Sequence, residues 1–270
     1  MKGLLFGGCS FTWGQGLYFY SELPNLFNPP DEVYFGDKVT DSHKKFAETL
    51  RYPRLVANHF KTFEVLKNIN GGSEDETFYF FKKIFNDPDK KFVEPHVSYE
   101  RYIYEDFSYI IIQLSVIYRN KFYFELDGET HFTNSPPING WDDTTKLEKW
   151  MEINNCSVED WSNQLKKEQY ERLLKELKFY EDKGIKTKIL SWQDDLIEYI
   201  KNDTFLNERF IQIRYKDKVY DTIYDLQTNH SEMYIKSDPY FDGYVYRDHH
   251  PSKKCHEIIA NSIIYNLEKK

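Results

Sequence analysis

The sequence predicts an α/β fold in which a mostly parallel sheet carries helices on both faces. Short apolar strands alternate with amphipathic helices along the chain, which is the order that parallel sheets require. The strongest strand signal, Tyr109–Leu114, is a nearly continuous apolar run, as expected of a strand covered on both faces. No repeat, low-complexity segment or linker divides the 270 residues. We therefore expect a single domain spanning residues 1–270.

The elements are predicted in order from their periodicity and from their start and stop signals. We expect strands at 3–7, 63–66, 109–114 and 185–192, and helices at 41–60 with a break at Pro53, 74–85, 158–180, 196–200 and 252–267. Asp127-Gly128 lies between two alternating stretches and predicts a β-hairpin over 122–132, an antiparallel excursion from the main sheet. Four aromatic-rich stretches lack a sustained period and are interpreted as insertions, at about 18–41, 86–107, 120–157 and 203–246.

Composition and charge exclude several classes of function. The net charge is -8 and no Lys/Arg-rich block is present, so we expect no binding to nucleic acid or to anionic membranes. No run of 18 apolar residues exists, and the apolar run at the N-terminus is too short for a secretory signal peptide. The Lys/Asn/Ile/Tyr-rich composition is typical of AT-rich genomes, and we expect a cytoplasmic or phage-associated protein. Cys9, Cys156 and Cys255 are odd in number and far apart, which favours reduced thiols.

The chain contains 22 Tyr and 21 Phe. The simpler interpretation is that these aromatic residues fill the core and the insertions. Tyr-rich surfaces also suit sugars, because a tyrosine ring offers an apolar face and a hydrogen-bonding tip.

Ser10 is the first candidate for chemistry. It follows the predicted strand 3–7 and lies between Gly7-Gly8 and Gly14, which let the backbone bend sharply. The carboxyl end of a first strand is where open α/β sheets bind their ligands. The alternative is that Ser10 only caps the next helix. A base elsewhere in the chain would decide between the two interpretations.

Asp248 and His250 supply that base near the other end of the chain. They are two residues apart and directly precede a predicted helix start at Pro251-Ser252. A serine hydroxyl is a poor nucleophile until an imidazole takes its proton and a carboxylate orients that imidazole. In a doubly wound sheet the loops that carry Ser10 and His250 can both lie at the carboxyl edge, so a Ser-His-Asp triad is predicted.

Three short blocks resemble those of the SGNH/GDSL hydrolase family. Gly8-Cys-Ser-Phe-Thr-Trp-Gly14 is similar to the family's Gly-Asp-Ser-(Phe/Leu)-Thr-x-Gly block. Residues 68–73 resemble its second block, and residues 248–260 resemble its final Asp-x-(x)-His block with the closing helix. The resemblance spans the chain, with insertions between the blocks. It implies a three-layer α/β/α sandwich with a flavodoxin-like sheet, and a serine esterase without a cofactor.

Carried over residue by residue, the resemblance makes Ser10 the nucleophile, His250 the general base and Asp248 its partner. The backbone N–H groups of Ser10 and Gly72 become the oxyanion donors. Cys9 replaces an aspartate that has no catalytic role in the family, and the Asp248-x-His250 spacing is one residue shorter than the commonest one.

The third block departs further from the family. Gln113-Leu-Ser-Val116 stands where the family has Gly-x-Asn-Asp, so Ser115 replaces an asparagine that donates to the oxyanion. Gln113 or Ser115 is the expected substitute. Two classes of function therefore stay open. One is an esterase that removes O-acetyl or other short acyl groups from a carbohydrate or small ester. The other is a weakly active or inactive module that binds glycan or serves as an assembly partner. A transferase or lipase-like variant of the first differs only in its acceptor or acyl chain.

Other candidate residues have simpler interpretations. His249, His250, Cys255 and His256 are close in sequence, but their spacing gives no metal-ligand frame, so we expect no metal. We expect Cys9 to pack in the core rather than act as a nucleophile. Asp142-Asp143 and Asp194-Asp195 are read as helix starts or solvated surface. His256 is expected to pack or cap, with support of the site as the alternative.

Overall fold

This computed structural model of the chain describes residues 2–9, 12, 17, 41–66, 73–86, 93–94, 97–98, 102–133, 145–236 and 247–269. Most of the predicted insertions at 18–41 and 86–107 lies outside these residues. In chain order the described strands are β1 (Gly3–Gly7), β2 (Glu64–Leu66), β3 (Val93–Glu94), β4 (Val97–Ser98), β5 (Phe107–Leu114), β6 (Phe122–Leu126), β7 (Glu129–Thr133), β8 (Lys186–Ser191), β9 (Ile213–Tyr215), β10 (Lys218–Tyr220), β11 (Tyr234–Lys236) and β12 (Arg247–Pro251). The described α-helices are α1 (Asp41–Leu50), α2 (Tyr52–His59), α3 (Glu74–Asn86), α4 (Thr145–Ile153), α5 (Val158–Asp182), α6 (Ile197–Asn202), α7 (Thr204–Asn207), α8 (Ile223–Asn229) and α9 (Lys253–Glu268).

The centre of the molecule is a parallel sheet with the strand order β2-β1-β5-β8. Beyond β8, Phe210 forms a parallel bridge with Ile189, and the N–H of Ile211 donates to the carbonyl of Ile189 at 2.7 Å. The chain thus leaves β1 toward one side for β2 and toward the other for β5, as in doubly wound flavodoxin-like sheets. The predicted parallel sheet is confirmed.

Side chains alternate along each strand between two helical layers. One face of the sheet, with Leu5, Ile110 and Ile112, packs on α3 and α5. The other face, with Leu4, Phe6 and Ile111, packs on α2, α8 and α9. Burial on both faces explains why β1 and β5 are apolar at successive positions. The predicted three-layer α/β/α architecture is confirmed.

Local signals in the sequence account for several element boundaries. Ser157 caps α5 by accepting from the N–H of Asp160 at 3.1 Å, while Asp160 accepts from the N–H of Ser157. Gly184 follows the end of α5 with φ 83°, a conformation that glycine adopts without strain. Asp127 and Gly128 have φ values of 54° and 80°, and the turn they form joins β6 and β7 as the predicted hairpin.

Two of the stretches that were interpreted as insertions also contain core elements. Within 120–157, α4 buries Leu147 and Met151, which lie in the same core cluster as β6. Within 203–246, α8 places Ile223 and Leu226 in the core, where both are fully buried. Each of these helices is short and buries few apolar residues, too few to make a period visible in the sequence. None of the described helices has the length and apolarity needed to cross a membrane.

Candidate active site

The strand order indicates at which end of the sheet a ligand would bind. The parallel strands all end at the same edge, here called the carboxyl edge, and the edge where they begin is called the amino edge. The order reverses between β1 and β5, and doubly wound sheets bind ligands outside the carboxyl ends of the strands at such a point. Gly8 and Cys9 follow β1 there, and Ser115 follows β5. Ser10, Gly72 and the side chain of Asp248 lie outside the described residues, so their predicted roles are not tested.

The turn after β1 is folded tightly against β5. A side chain at Gly8 would place its Cβ 2.0 Å from Thr12 Oγ1 and 3.1 Å from Gln113 Cβ, so only glycine fits. The N–H of Thr12 donates to the carbonyl of Cys9 at 3.0 Å. Cys9 is fully buried, and its Sγ lies 3.5 Å from Gln113 Oε1. The Cys9 thiol therefore packs in the core, as predicted.

A buried series of hydrogen bonds joins this turn to the last helix. Thr12 Oγ1 donates to Gln113 Oε1 at 2.9 Å and accepts from the hydroxyl of Tyr52 at 2.8 Å. The N–H of Tyr52 donates to Nδ1 of His256 at 3.1 Å, and the two rings stack with centroids 5.6 Å apart. Tyr52 and His256 are fully buried. The series connects β5, the turn after β1, the first residue of α2 and the first turn of α9.

The contact with Tyr52 also fixes the state of His256. The first amides of a helix lack partners within the helix, and Arg51 before α2 makes no side-chain cap, so His256 supplies the acceptor. Because Nδ1 accepts, the proton of the neutral ring sits on Nε2. Burial, followed by repulsion from His250 and Arg51, lowers the pKa of His256 to about 3. Nε2 is buried and has no hydrogen-bond partner in the part of the chain that the structure describes.

His250 lies in β12, directly before the last helix. The strand pairs with β11, with Tyr234 opposite Pro251. Ser252 donates its N–H to the carbonyl of Met233 at 2.8 Å, and its hydroxyl caps α9. His250 is half-buried and close enough to His256 to lower the pKa of that ring. His250 thus closely precedes the helix whose first turn carries His256, and its role as the base stays a prediction.

A buried carboxylate anchors the second block to the third. Glu74, the first residue of α3, is 6% exposed and accepts from Ser115 N–H at 2.5 Å, Ser115 Oγ at 3.3 Å and Asn120 Nδ2 at 2.6 Å. Asn120 Oδ1 in turn accepts from the N–H of Asp75 at 3.3 Å. Burial raises the pKa of Glu74 although these donors favour the ionised form. The contacts hold the start of α3, directly after Gly71-Gly72, against the segment that follows β5.

These contacts bear on the two predicted side-chain oxyanion donors. Ser115 gives both its N–H and its hydroxyl to Glu74. Gln113 gives its Nε2 to the carbonyl of Leu114 at 2.8 Å. Both residues therefore lie at the predicted edge but have other partners in this structure. Their role as donors stays a prediction.

Four residues of this edge were not among the predicted site residues, namely Thr12, Tyr52, Glu74 and Asn120. One signal was present for Glu74. Ser73 and Glu76 form a reciprocal capping box, with Ser73 N–H to Glu76 Oε2 at 3.1 Å and Glu76 N–H to Ser73 Oγ at 3.3 Å. That motif places Glu74 in the first turn of a helix that begins at the carboxyl edge. Nothing in the sequence singled out Tyr52 among 22 tyrosines.

The remaining candidates lie elsewhere or have structural partners. Asp195 is half-buried, its carboxylate accepts from the N–H of Ile117 at 3.2 Å, and burial raises its pKa. Asp194 and Asp195 line a groove of about 1010 Å³ between α5 and α6. Asp142-Asp143 lies outside the described residues. Cys9, Cys156 and Cys255 are free. No three His, Cys, Asp or Glu side chains converge as metal ligands among the residues the structure describes.

Comparisons with known proteins do not identify a family for the chain. No protein-family model and no curated protein matches the chain. Among solved structures, one reported as "The active site of a carbohydrate esterase displays divergent catalytic and non-catalytic binding functions" is similar at 14% identity and a TM-score of 0.45. The match covers 100% of this chain and 69% of the other. At this distance the likeness carries no argument, so the function is argued from this chain's own residues.

Proposed function

We propose that the chain is a serine-dependent ester hydrolase of the SGNH type that removes O-acetyl or other short acyl groups from a carbohydrate or small ester. The observation that supports this most is the buried series Gln113–Thr12–Tyr52–His256. It ties the turn that carries the candidate nucleophile to the helix that follows the candidate base. If Ser10 only capped a helix, no connection between this turn and the last helix would be needed.

In the proposed reaction Ser10 Oγ attacks the acyl carbon while His250 takes the hydroxyl proton, and Asp248 orients the imidazole. The tetrahedral intermediate collapses as His250 returns the proton to the leaving alcohol. Water, deprotonated by His250, then attacks the acyl carbon, the bond from that carbon to Ser10 Oγ breaks, and His250 returns the proton to Oγ as the free acid leaves. The N–H groups of Ser10 and Gly72 bind the developing oxyanion, each contributing about 3 kcal/mol of barrier lowering.

The described residues support this chemistry by holding its parts in register. The hydroxyl of Thr12, held between Tyr52 and Gln113, fixes the chain two residues after Ser10. Glu74 holds the helix that follows Gly72 against the end of β5. Misplacement of reacting groups by about 1 Å can lower rates on the order of 100-fold, so such anchoring matters for catalysis.

A second function is favoured by one observation. Ser115 and Gln113 are engaged with other groups, so the oxyanion hole rests on two backbone donors unless one of these side chains changes partner. Loss of one donor lowers kcat by about 100- to 1000-fold. A slow enzyme, or an inactive glycan-binding module, follows from the same arrangement.

Hydrolysis of 4-nitrophenyl acetate by wild type and Ser10→Ala separates the two functions. An esterase loses at least about 1000-fold in kcat/KM with Ser10→Ala and with His250→Ala. Ser108→Ala is the matched control, because Ser108 is partly exposed near the amino end of β5. If all four proteins share one background rate, the binding module is the correct reading and the proposed esterase is wrong.

A further inference from the structure

Arg119 differs from four other described arginines in lacking an ion pair with a described carboxylate. Arg51, Arg54, Arg172 and Arg209 each form an ion pair with a carboxylate. Arg119 has no carboxylate of the described residues within ion-pair distance, although the chain contains 44 Asp and Glu. The carboxylate of the neighbouring Asp195 accepts from the N–H of Ile117 instead.

An aromatic contact orients the Arg119 guanidinium. Its Cζ lies 5.5 Å from the ring centroid of Trp192. Trp192 directly follows β8, and its N–H donates to the carbonyl of Leu114 at the end of β5 at 2.9 Å. A cation–π contact of this kind leaves the N–H groups that point away from the ring available for a planar anion.

One nitrogen of the Arg119 guanidinium is buried. Nη1 of Arg119 is buried and has no hydrogen-bond partner among the residues the structure describes. A charged donor buried without a partner is unfavourable, and the rest of the side chain is only half-buried. An anion at the exposed part of the guanidinium would neutralise the charge of the group, while Nη1 itself would stay without an acceptor among the described residues.

Arg119 lies at the carboxyl edge, close to the end of β8. Arg119 ends a 3₁₀ turn, Ile117–Arg119, that begins three residues after β5. β1, β5 and β8 are consecutive in the sheet and strands lie about 4.8 Å apart, so β8 ends roughly 10 Å from the end of β1. One or two sugar rings bridge such a distance.

We propose that Arg119, stacked on Trp192, binds an anionic group of the substrate, a carboxylate or a phosphate carried by the sugar. The guanidinium fork suits both groups, because each presents two coplanar oxygens to its N–H groups. The identity of the bound molecule as substrate rests on the proposed function, but binding itself requires no catalysis.

Binding of glucuronate, glucose 6-phosphate and glucose, followed by NMR shift titration, tests this proposal. Wild type is expected to bind at least one of the two anionic sugars at least tenfold more tightly than glucose, and the tighter anion identifies the group. Arg119→Gln is expected to lose that preference. Arg214→Gln is the matched control, because Arg214 also stacks on an aromatic ring, Tyr265, with its Cζ 4.5 Å from the centroid. This control is expected to bind like wild type.

Two outcomes overturn the proposal. One is that neither anionic sugar binds more tightly than glucose, and the other is that Arg119→Gln binds as wild type does. Arg119→Met replaces Arg119→Gln if that variant fails to fold, since Met keeps the apolar contact with Trp192 and removes the charge. If anion binding depends on Arg119 but the protein has no esterase activity, the anion site is supported and the proposed function is wrong. If hydrolysis depends on Ser10 but anion binding does not depend on Arg119, the proposed function is supported and the anion site is wrong.

Discussion

The pKa of a buried or partly buried glutamate is shifted in opposite directions at the two edges of the sheet. At the amino edge Glu181 accepts from Arg209 at 2.7 and 2.5 Å and from Thr187 at 2.7 Å. Burial alone would raise the pKa of Glu181, but these hydrogen bonds outweigh it and hold the pKa below its usual range. At the carboxyl edge Glu74 has neutral donors, Ser115 and Asn120, and burial raises its pKa.

The contrast extends to other charged and polar groups. At the carboxyl edge Arg119 lacks a carboxylate and Nε2 of His256 lacks an acceptor, as far as the described residues show. Such incomplete pairing is unfavourable for folding and is typical of functional sites. At the amino edge Arg209 is fully paired with Glu181 and Glu208. The difference fits the proposal that the carboxyl edge binds a ligand.

Acid sensitivity is the largest expected effect of this difference. The folded-state pKa of His256 lies at about 3, below the ordinary 6.5, so its stabilising contribution is complete above pH 6.5 and is lost as the pH falls toward 3. Each pH unit in this window lowers the free energy of unfolding by up to about 1.4 kcal/mol. His256→Gln, which keeps an acceptor for the Tyr52 N–H, is expected to lack this slope. Urea unfolding between pH 4 and 7 measures both slopes, and equal slopes contradict the assignment.

Removal of one hydroxyl is the next largest effect. Tyr52→Phe breaks the bond to Thr12 and is expected to lower kcat on the order of tenfold with KM within about twofold, because the turn after β1 loosens. The free energy of unfolding falls by about 1 kcal/mol. Tyr220→Phe breaks a similar bond, 2.7 Å from its hydroxyl to His230 Nε2, and serves as the control. Steady-state kinetics with thermal melting should show equal stability losses but a kcat loss in Tyr52→Phe alone. Equal kcat values for the two variants would remove the functional role of Tyr52.

The smallest expected effect is the pH dependence of stability in variants of Glu181 and Glu74. Glu181 has a lowered pKa, so it stabilises the fold above pH 4.5 and less as the pH falls through its folded-state pKa. Glu181→Gln should therefore cost about 1 kcal/mol at pH 7 and less at pH 3. Glu74 has a raised pKa, so its contribution is complete below pH 4.5 and declines as the pH rises. The stability difference between wild type and Glu74→Gln should shrink with rising pH. Denaturant titrations at several pH values measure the stability difference between wild type and each variant. If the two differences change in the same direction with pH, the contrast between the two glutamates is wrong.

Much of the fold was predictable because its signals are local. The apolar run at 109–114, the Asp127-Gly128 turn and Gly184 each lie within one element, and the structure places those elements within two residues of the prediction. α4 and α8 were missed. Each is held by a few core contacts, such as those of Leu147 and Ile223, that become visible only after the sheet has formed.

The candidate site was predictable only in part. Ser10, Asp248 and His250 stand in short blocks whose chemistry can be read residue by residue. The described groups around the turn after β1 and the start of α9 are paired across long distances in sequence: the partners are 101 positions apart for Thr12 and Gln113, and 204 for Tyr52 and His256. Such pairs leave no period and no spacing in the chain, so only the folded structure reveals them.

Labelling with a fluorophosphonate tests most directly whether the carboxyl edge is a serine hydrolase site. We expect one phosphonyl adduct per chain, mapped to Ser10 by peptide mass spectrometry. The adduct should form at least about 100-fold more slowly in His250→Ala, because the serine then lacks its base. A folded wild-type protein that gains no adduct, or an adduct that forms equally fast without His250, would contradict the account.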